Sequence, residues 1–278
     1  MTTFVLVHGA WGGAHGFRHV RKLLQAAGHE VTTPSLTGIG ERVHLASPLV
    51  NLSTHVRDVV NHVLYEDLQD IVLLGFSYGG FVVTGALEHI ADRVRHLVFL
   101  DAFVPKPGDT VGGLARGALP GRTTIELGED WLLTGPVREF DDPAEAKWMA
   151  ARRTTHPKGC FGEPVHLAQP LEDFAFSRTY IKATAAPESD PGNAAFWQAA
   201  RHAQASPAWQ YFEIATNHMV ANCDVLVTRY SSVVLVALAL GKEVHSDIPR
   251  DVLASYRPVQ NGGTSARRIA AECRASFH

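Results

Sequence analysis

The stretch "DIVLLGFSYGGFVVTGALEHI", residues 70–90, decides how this chain is read. An apolar, β-branched run reaches Gly75, a single hydroxyl stands at Ser77, two glycines follow, and the sequence turns apolar again with helical spacing. Residues 75–79 fit G-x-S-x-G. Between a buried strand and a helix, that spacing makes a nucleophile elbow, a turn so sharp that the serine takes a strained backbone angle. Larger side chains at Gly75 and Gly79 would collide there, so the glycines are the steric condition for lifting the Ser77 hydroxyl clear of the sheet. The hydroxyl then sits at a helix N-terminus, whose dipole favours developing negative charge.

Working outward from the elbow, short β-branched runs alternate with longer helical patterns. The spacing predicts strands at 3–8, 30–35, 70–76, 96–101, 178–184 and 209–214, with helices at 16–28, 53–66 and 79–94. In the second helix Val56, Val59, Val60, Val63 and Leu64 fall on one face. Such alternation implies right-handed βαβ units, hence an α/β fold: a parallel six-stranded sheet with helices on both faces. Residues 105–177 have a different texture, rich in Pro and Gly, with helical periodicity around 110–118, 142–153 and 163–174. An insertion this long in a compact domain reads as an inserted helical cap. The expected division is a core of 1–104 and 178–242, the cap at 105–177, and an atypical tail at 243–278.

Acyl transfer needs more than a serine. Two backbone N–H groups must meet the oxyanion, one from Tyr78 after the nucleophile and one from the glycine-rich loop "VHGAWGG" (7–13) that ends the first strand. Ala10 is the candidate there, with Trp11 as the neighbour able to substitute. A hydroxyl also needs a base. The order Ser, acid, His places it after the last strand, at His218 in "EIATNHMVANC"; His202, in the helix before that strand, is expected to be exposed. The acid has two places in such a fold. Asp190 and Glu188 follow the strand at 178–184, and Asp101 ends the strand at 96–101. Asp190 is placed ahead of Asp101, whose other role would be to brace the turn after it, and Glu188 is third.

Composition narrows the partners. A formal net charge of -3 offers no basic surface for nucleic acid or an anionic membrane. The 15 histidines include no H-E-x-x-H pattern or tight Cys/His cluster in sequence, so no metal and no cofactor is expected. Cys160, Cys223 and Cys273 are odd in number and far apart, which suits free thiols in a reducing compartment. The apolar run "VVLVALALG" (233–241) is about half of what a spanning helix needs. A core strand at Phe4 leaves no room for a cleaved leader, so the cytoplasm is the expected location. The expected partner is a small-molecule ester, with no nucleic acid and no membrane, and a homodimer is left open.

"FVLVHGAWGGAHGF" (4–17), "LTGIGERVHL" (36–45), "GFSYGGFV" (75–82) and "FLDAFVP" (99–105) together resemble the α/β-hydrolase superfamily. The nearest group is the small esterases that include pyrethroid-hydrolysing carboxylesterases, plant methylesterases and hydroxynitrile lyases. The resemblance covers residues 3–222 and implies the six-stranded core, the helical cap, the Ala10 and Tyr78 oxyanion hole and the Ser77 and His218 pair. It also implies an acid after the strand at 178–184, where this chain has alanines in "ATAAPESDP", and a His where Phe76 stands. The lyases of that group carry a Lys directly after the catalytic His and a hydroxyl in the first loop; here Met219 and Ala10 stand at those positions. The resemblance therefore implies a serine carboxylesterase. A lyase or C–C hydrolase on the same scaffold, or a non-catalytic small-molecule-binding homologue, are the alternatives. The tail is different: "DVLVTRYSSVVLVALALGKEV" (224–244) resembles the nucleotide-sugar-binding end of capsule-type glycosyltransferases, and "RPVQNGGTSARRIAAECRASF" (257–277) continues it. These residues are too few for a transferase cleft, and 231–240 is expected to serve as the closing helix of the hydrolase.

Overall fold

The computed structural model describes residues 1–115, 131–136, 140 and 143–219. The expected closing helix at 231–240, the tail at 243–278, and Cys223 and Cys273 lie outside the described residues.

Strands β1 (Thr3–Val7), β2 (Glu30–Thr32), β3 (Ile71–Phe76), β4 (Val94–Leu100), β7 (Ser177–Ala183) and β8 (Gln210–Ile214) form one sheet in the order β2-β1-β3-β4-β7-β8. Every pair in it is parallel. Helices α1 (Arg18–Ala26), α2 (Leu52–Tyr65), α3 (Gly79–Ile90) and α7 (Ala194–Ala205) cover its two faces. The whole of β3 is buried, and its alternate side chains enter different cores. Leu73 joins Val59, Val63, Phe81, Val82 and Phe99 on one side; Leu74 joins Phe17, Val20, Leu24 and Ile181 on the other. A strand buried on both faces reads as a continuous apolar run, which is why 71–76 shows no polar alternation. Each fully buried Phe or Leu in these layers contributes about 1.5–3 kcal/mol.

Asn51 and Thr54 start α2 with reciprocal bonds: Thr54 N–H donates to Asn51 Oδ1 (3.0 Å), and Asn51 N–H to Thr54 Oγ1 (3.4 Å). The buried stripe of α2 runs through Leu52, His55, Val56, Val59, Val60 and Val63, while Leu64 is 40% exposed. The sequence-based face thus included one residue too many, because Leu64 lies one 100° step beyond Val63, at the edge of the stripe.

Between β4 and β7 the described residues form α4 (Val111–Leu114), α5 (Pro143–Ala150), α6 (Gly159–Gly162) and a small antiparallel pair, β5 (Leu132–Leu133) with β6 (His156–Pro157). The helix expected around 163–174 is absent apart from a short 3-10 turn at Leu171–Asp173. Pro164 and Pro170 explain this, since each lacks an N–H and disfavours helix in the residue before it.

The strand order also locates the site. The chain leaves β1 toward β2 on one side, then leaves β3 toward β4 on the other. The loops after β1 and β3 therefore diverge and open a crevice at the C-terminal ends of the strands, the usual ligand position in an open α/β sheet.

Candidate active site

The elbow residue Ser77 has φ 55°, the left-handed region that L residues rarely occupy. Close packing enforces it. A Cβ on Gly75 would lie 2.7 Å from Gly79 O, and one on Gly79 would lie 2.5 Å from Val7 O. Ser77 N–H donates to Leu100 O (3.3 Å), and Ser77 O accepts from Gly80 N–H (3.1 Å) and Phe103 N–H (3.2 Å). The Ser77 backbone is thereby tied to the end of β4.

His218 follows β8 in a loop held against the continuation of β7, where Thr184 N–H donates to Ile214 O (2.9 Å) and Ala185 N–H to Thr216 O (3.0 Å). Its Nε2 lies 2.9 Å from Ser77 Oγ, and its Nδ1 lies 2.7 Å from Asp101 Oδ2. A carboxylate only accepts, so Nδ1 carries the proton and Nε2 presents its lone pair to the serine hydroxyl. Two rings pack on the imidazole: Phe196 stacked at 4.7 Å and 14°, and Phe76 tilted at 5.2 Å. His218 is 7% exposed, so its orientation is set by packing as well as by hydrogen bonds.

Asp101 is fully buried and, like Ser77, has a positive φ, 39°. Its Oδ1 accepts from Lys182 Nζ (2.7 Å) and from Ala183 N–H (3.3 Å). Burial alone would push this carboxyl up; the hydrogen bond and charge of His218, and then the charge and hydrogen bond of Lys182, bring it below the usual carboxylate value.

Asp190, which the sequence reading placed ahead of Asp101, is engaged elsewhere. Its Oδ1 accepts from Gly192 N–H (2.9 Å) and its Oδ2 from Asn193 Nδ2 (2.6 Å), so both oxygens are spent on the turn that starts α7. Glu188 pairs with Arg201 at the surface, and His202 with Glu172 (2.8 Å), half-exposed. The geometry thus reverses the order of the acids: it is the end of β4 that brings a carboxylate to His218.

The two N–H groups expected to serve an oxyanion, those of Ala10 and Tyr78, belong to the loops after β1 and β3. Neither Ala10 N–H nor Tyr78 N–H makes a hydrogen bond among the described residues. Trp11, the alternative to Ala10, already donates its N–H to His156 Nδ1 (3.3 Å). Trp11 has φ 60°, and its indole N–H donates to Leu133 O (3.0 Å) while its carbonyl accepts from Thr154 N–H (3.1 Å). The loop is therefore stitched to the segment between β4 and β7. Among the described residues five non-glycine residues have positive φ, and three of them, Trp11, Ser77 and Asp101, lie at this site.

Behind Tyr78 lies a cluster that no sequence pattern announced. His55, His156 and Cys160 are buried and bring three ligand atoms within 4.8 Å of one another. Such a set suits a soft divalent ion, but hydrogen bonding already uses its lone pairs. His55 Nε2–H donates to Thr37 O (2.7 Å), leaving Nδ1 to accept from the Tyr78 hydroxyl (2.9 Å). His156 Nδ1 accepts from Trp11. The Cys160 thiol is pushed up to about 12, chiefly by burial, so it stands protonated with its Sγ 3.7 Å from His55 Nδ1. The cluster fits a hydrogen-bonded buttress that fixes Tyr78, whose ring stacks on Phe161 (5.8 Å, 10°). Lys182, Phe196, His55 and His156 were missed from sequence. Only Lys182 left a signal, a charge set between Ile181 and Ala183 at the buried end of β7.

Among the described residues no helix is long and apolar enough to cross a membrane.

Comparison with known proteins adds the following. A family model described as the alpha/beta hydrolase family matches residues 4–229. A carbendazim hydrolyzing esterase from Nocardioides sp. is 50% identical over 127 residues, 46% of this chain and 52% of that protein. A pyrethroid hydrolase from Sphingobium wenxiniae is 32% identical over 126 residues, 45% of this chain and 44% of that protein. The chain spans about half the length, or less, of the curated relatives it matches. Among solved structures, an extracellular alpha/beta-hydrolase from a Paenibacillus species has a TM-score of 0.61 at 22% identity, covering 79% of this chain and 92% of that one. At that identity the likeness speaks for the fold.

Proposed function

This chain belongs to the alpha/beta hydrolase family, and on that premise we propose that it is a serine esterase that cleaves carboxylic esters through an acyl-enzyme. The observation that carries the reading is the unbroken line of hydrogen bonds from Asp101 through His218 to Ser77. The names of the relatives, an esterase and a pyrethroid hydrolase among them, favour ester hydrolysis over other chemistry on this scaffold.

In the proposed reaction Ser77 Oγ attacks the ester carbonyl as its proton passes to His218 Nε2. Asp101 holds the Nδ1–H tautomer and offsets the imidazolium charge, remaining ionised throughout. The N–H groups of Ala10 and Tyr78 take the oxyanion, each worth about 10²–10³ in rate where such donors have been removed. The alcohol leaves with the proton from His218, and water then repeats the sequence on the acyl group. No cofactor enters these steps. Met219 after the base and Ala10 in the first loop supply neither an ammonium nor a hydroxyl, which weighs against cyanohydrin cleavage.

The test is hydrolysis of short p-nitrophenyl esters, graded by acyl and alcohol size, by the full chain and by Ser77→Ala. Turnover by the wild type and loss of at least a hundredfold in a folded Ser77→Ala support the proposal. Retained turnover in the variant overturns it.

A further inference from the structure

Resting on the reading of Ser77, His218 and Asp101 as a working triad, we propose that Lys182 is its fourth member, a positioning residue that acts through Asp101 to fix the carboxylate's charge and orientation. Lys182 lies on β7, one strand over from the end of β4, and both its side chain and that of Asp101 are fully buried. An ammonium inside a core is costly to desolvate, so it persists where a specific anion and full hydrogen bonding compensate it. Both are present. Nζ donates to Asp101 Oδ1 (2.7 Å) and to Ala183 O (2.5 Å), and it sits 4.6 Å from the centroid of the Trp197 ring. That ring is itself anchored by its N–H to Ala186 O (3.0 Å).

The arrangement divides the carboxylate's work. Oδ2 serves His218 and Oδ1 serves Lys182, so each oxygen has a charged or polar partner at 2.7 Å. Without Lys182, Oδ1 would keep only the Ala183 N–H at 3.3 Å, and the carboxylate would be free to turn away from the imidazole. The ammonium also acts by charge. It opposes the imidazolium that forms during attack, so the Asp101–His218 pair gives up its proton at lower pH than it otherwise would.

The other groups facing this pair are few. On β7 the Tyr180 hydroxyl lies 3.0 Å from both Ala102 O and Phe196 O, and on β8 the Tyr211 hydroxyl donates to Glu213 (2.7 Å). Helix α7 contributes the aromatic rings of Phe196 and Trp197, and the elbow contributes Phe76 and Ser77. Among the described residues, Lys182 is the cation that contacts Asp101 apart from His218 itself.

The experiment compares the full chain with Lys182→Met, Asp101→Asn and the double variant. It reads the His218 imidazole by NMR titration and the pH profile of kcat and KM on a p-nitrophenyl ester. In Lys182→Met the titration midpoint of the pair and the acid limb of kcat/KM should both move up by about one to two pH units, as expected on removing a buried like charge that shares the imidazole's carboxylate. On the plateau kcat should fall by about ten- to a hundredfold, the range seen when outer partners of metal ligands are removed, with KM little changed. The double variant should be no slower than Asp101→Asn, because Lys182 has nothing left to position. Removing both charges together leaves no unpaired buried ion, so the double variant decides the matter if Lys182→Met alone does not fold. An unmoved midpoint with unchanged kcat in a folded Lys182→Met, or losses that multiply in the double variant, would overturn the proposal. Should the wild type turn over no ester, the triad reading fails, and the NMR titration still decides whether Lys182 governs the pair.

Discussion

The ends of β4 and β7 lie side by side in the sheet, Leu100 beside Ile181, yet they do opposite things. After Leu100 the chain turns through Asp101, whose N–H donates to Ile181 O (2.7 Å) and whose carboxylate faces His218. At the end of β7 the residue facing the same spot is Lys182, and the chain then runs off through "TAAPESDP" into the turn that Asp190 closes. Neighbouring strands are only about 4.8 Å apart, so a carboxylate on either end can reach one imidazole. Beside Nδ1 there is room for one carboxylate, and in this chain the neighbouring strand end carries a charge of opposite sign to it. Here β4 supplies the anion and β7 the cation.

The comparison breaks most cleanly at the two aspartates. Asp101→Asn should lower ester turnover by about 10⁴, the loss seen when the amide imposes the wrong tautomer in the chymotrypsin example. Asp190→Asn should stay within a few-fold of wild type. Steady-state kinetics on one ester decides, and the opposite ranking would return the acid to β7.

Packing around the imidazole sharpens the same contrast from the α7 side. Phe196→Ala removes the ring stacked on His218 and should destabilise the protein by about 3–5 kcal/mol, as buried Phe truncations do. If His218 is the base, as proposed, turnover per folded molecule should fall as well, because the imidazole loses a wall; chemical denaturation and kinetics on the same samples separate the two effects.

Acid should attack the two sides of the sheet in different windows. On the β1 side, burial lowers His8 and His55 to about 4 and His156 well below its usual value. Their unfolded counterparts bind protons below about 6.5, so stability is full above that pH and is lost as pH falls toward 4, with uptake of about three protons on unfolding. The Asp101 carboxyl is lowered, so its contribution is full above about 3.9 and is lost only below that. Thermal melts between pH 7 and pH 3 should therefore decline in two stages, the first from the histidines. A flat profile down to pH 4 would contradict the neutral, buried state of these rings.

The smallest effects belong to the β7 turn. Asp190→Ala should cost about 1 kcal/mol, as loss of the hydrogen bonds that close a turn does, with little change in turnover. His202→Ala, at a half-exposed pair with Glu172, should be close to silent in both.

Much of this was legible in the sequence because local chemistry dictates it. Six apolar runs became the six strands of the parallel sheet, within a few residues at each end. The elbow spacing placed Ser77, and chain order placed His218, because turn sterics and βαβ handedness leave little choice. The acid was harder. Asp101 and Asp190 both follow a strand, and only the register between β4 and β7 tells which carboxylate ends beside the imidazole. The charge at Lys182 was visible but its role was not, since its partner is 81 residues away. The buttress behind Tyr78 joins His55 to Cys160 across 105 residues, a closeness that neither periodicity nor motif encodes.

The central claim is that Ser77 is activated by His218 held by Asp101, and the most direct test is the rate at which a fluorophosphonate ester labels the protein, mapped by mass spectrometry. One label per chain is expected, on Ser77, formed at the wild-type rate in Asp190→Asn, far more slowly in Asp101→Asn, and not at all in Ser77→Ala. Labelling of a different serine, or undiminished labelling of Ser77 in Asp101→Asn, would contradict it.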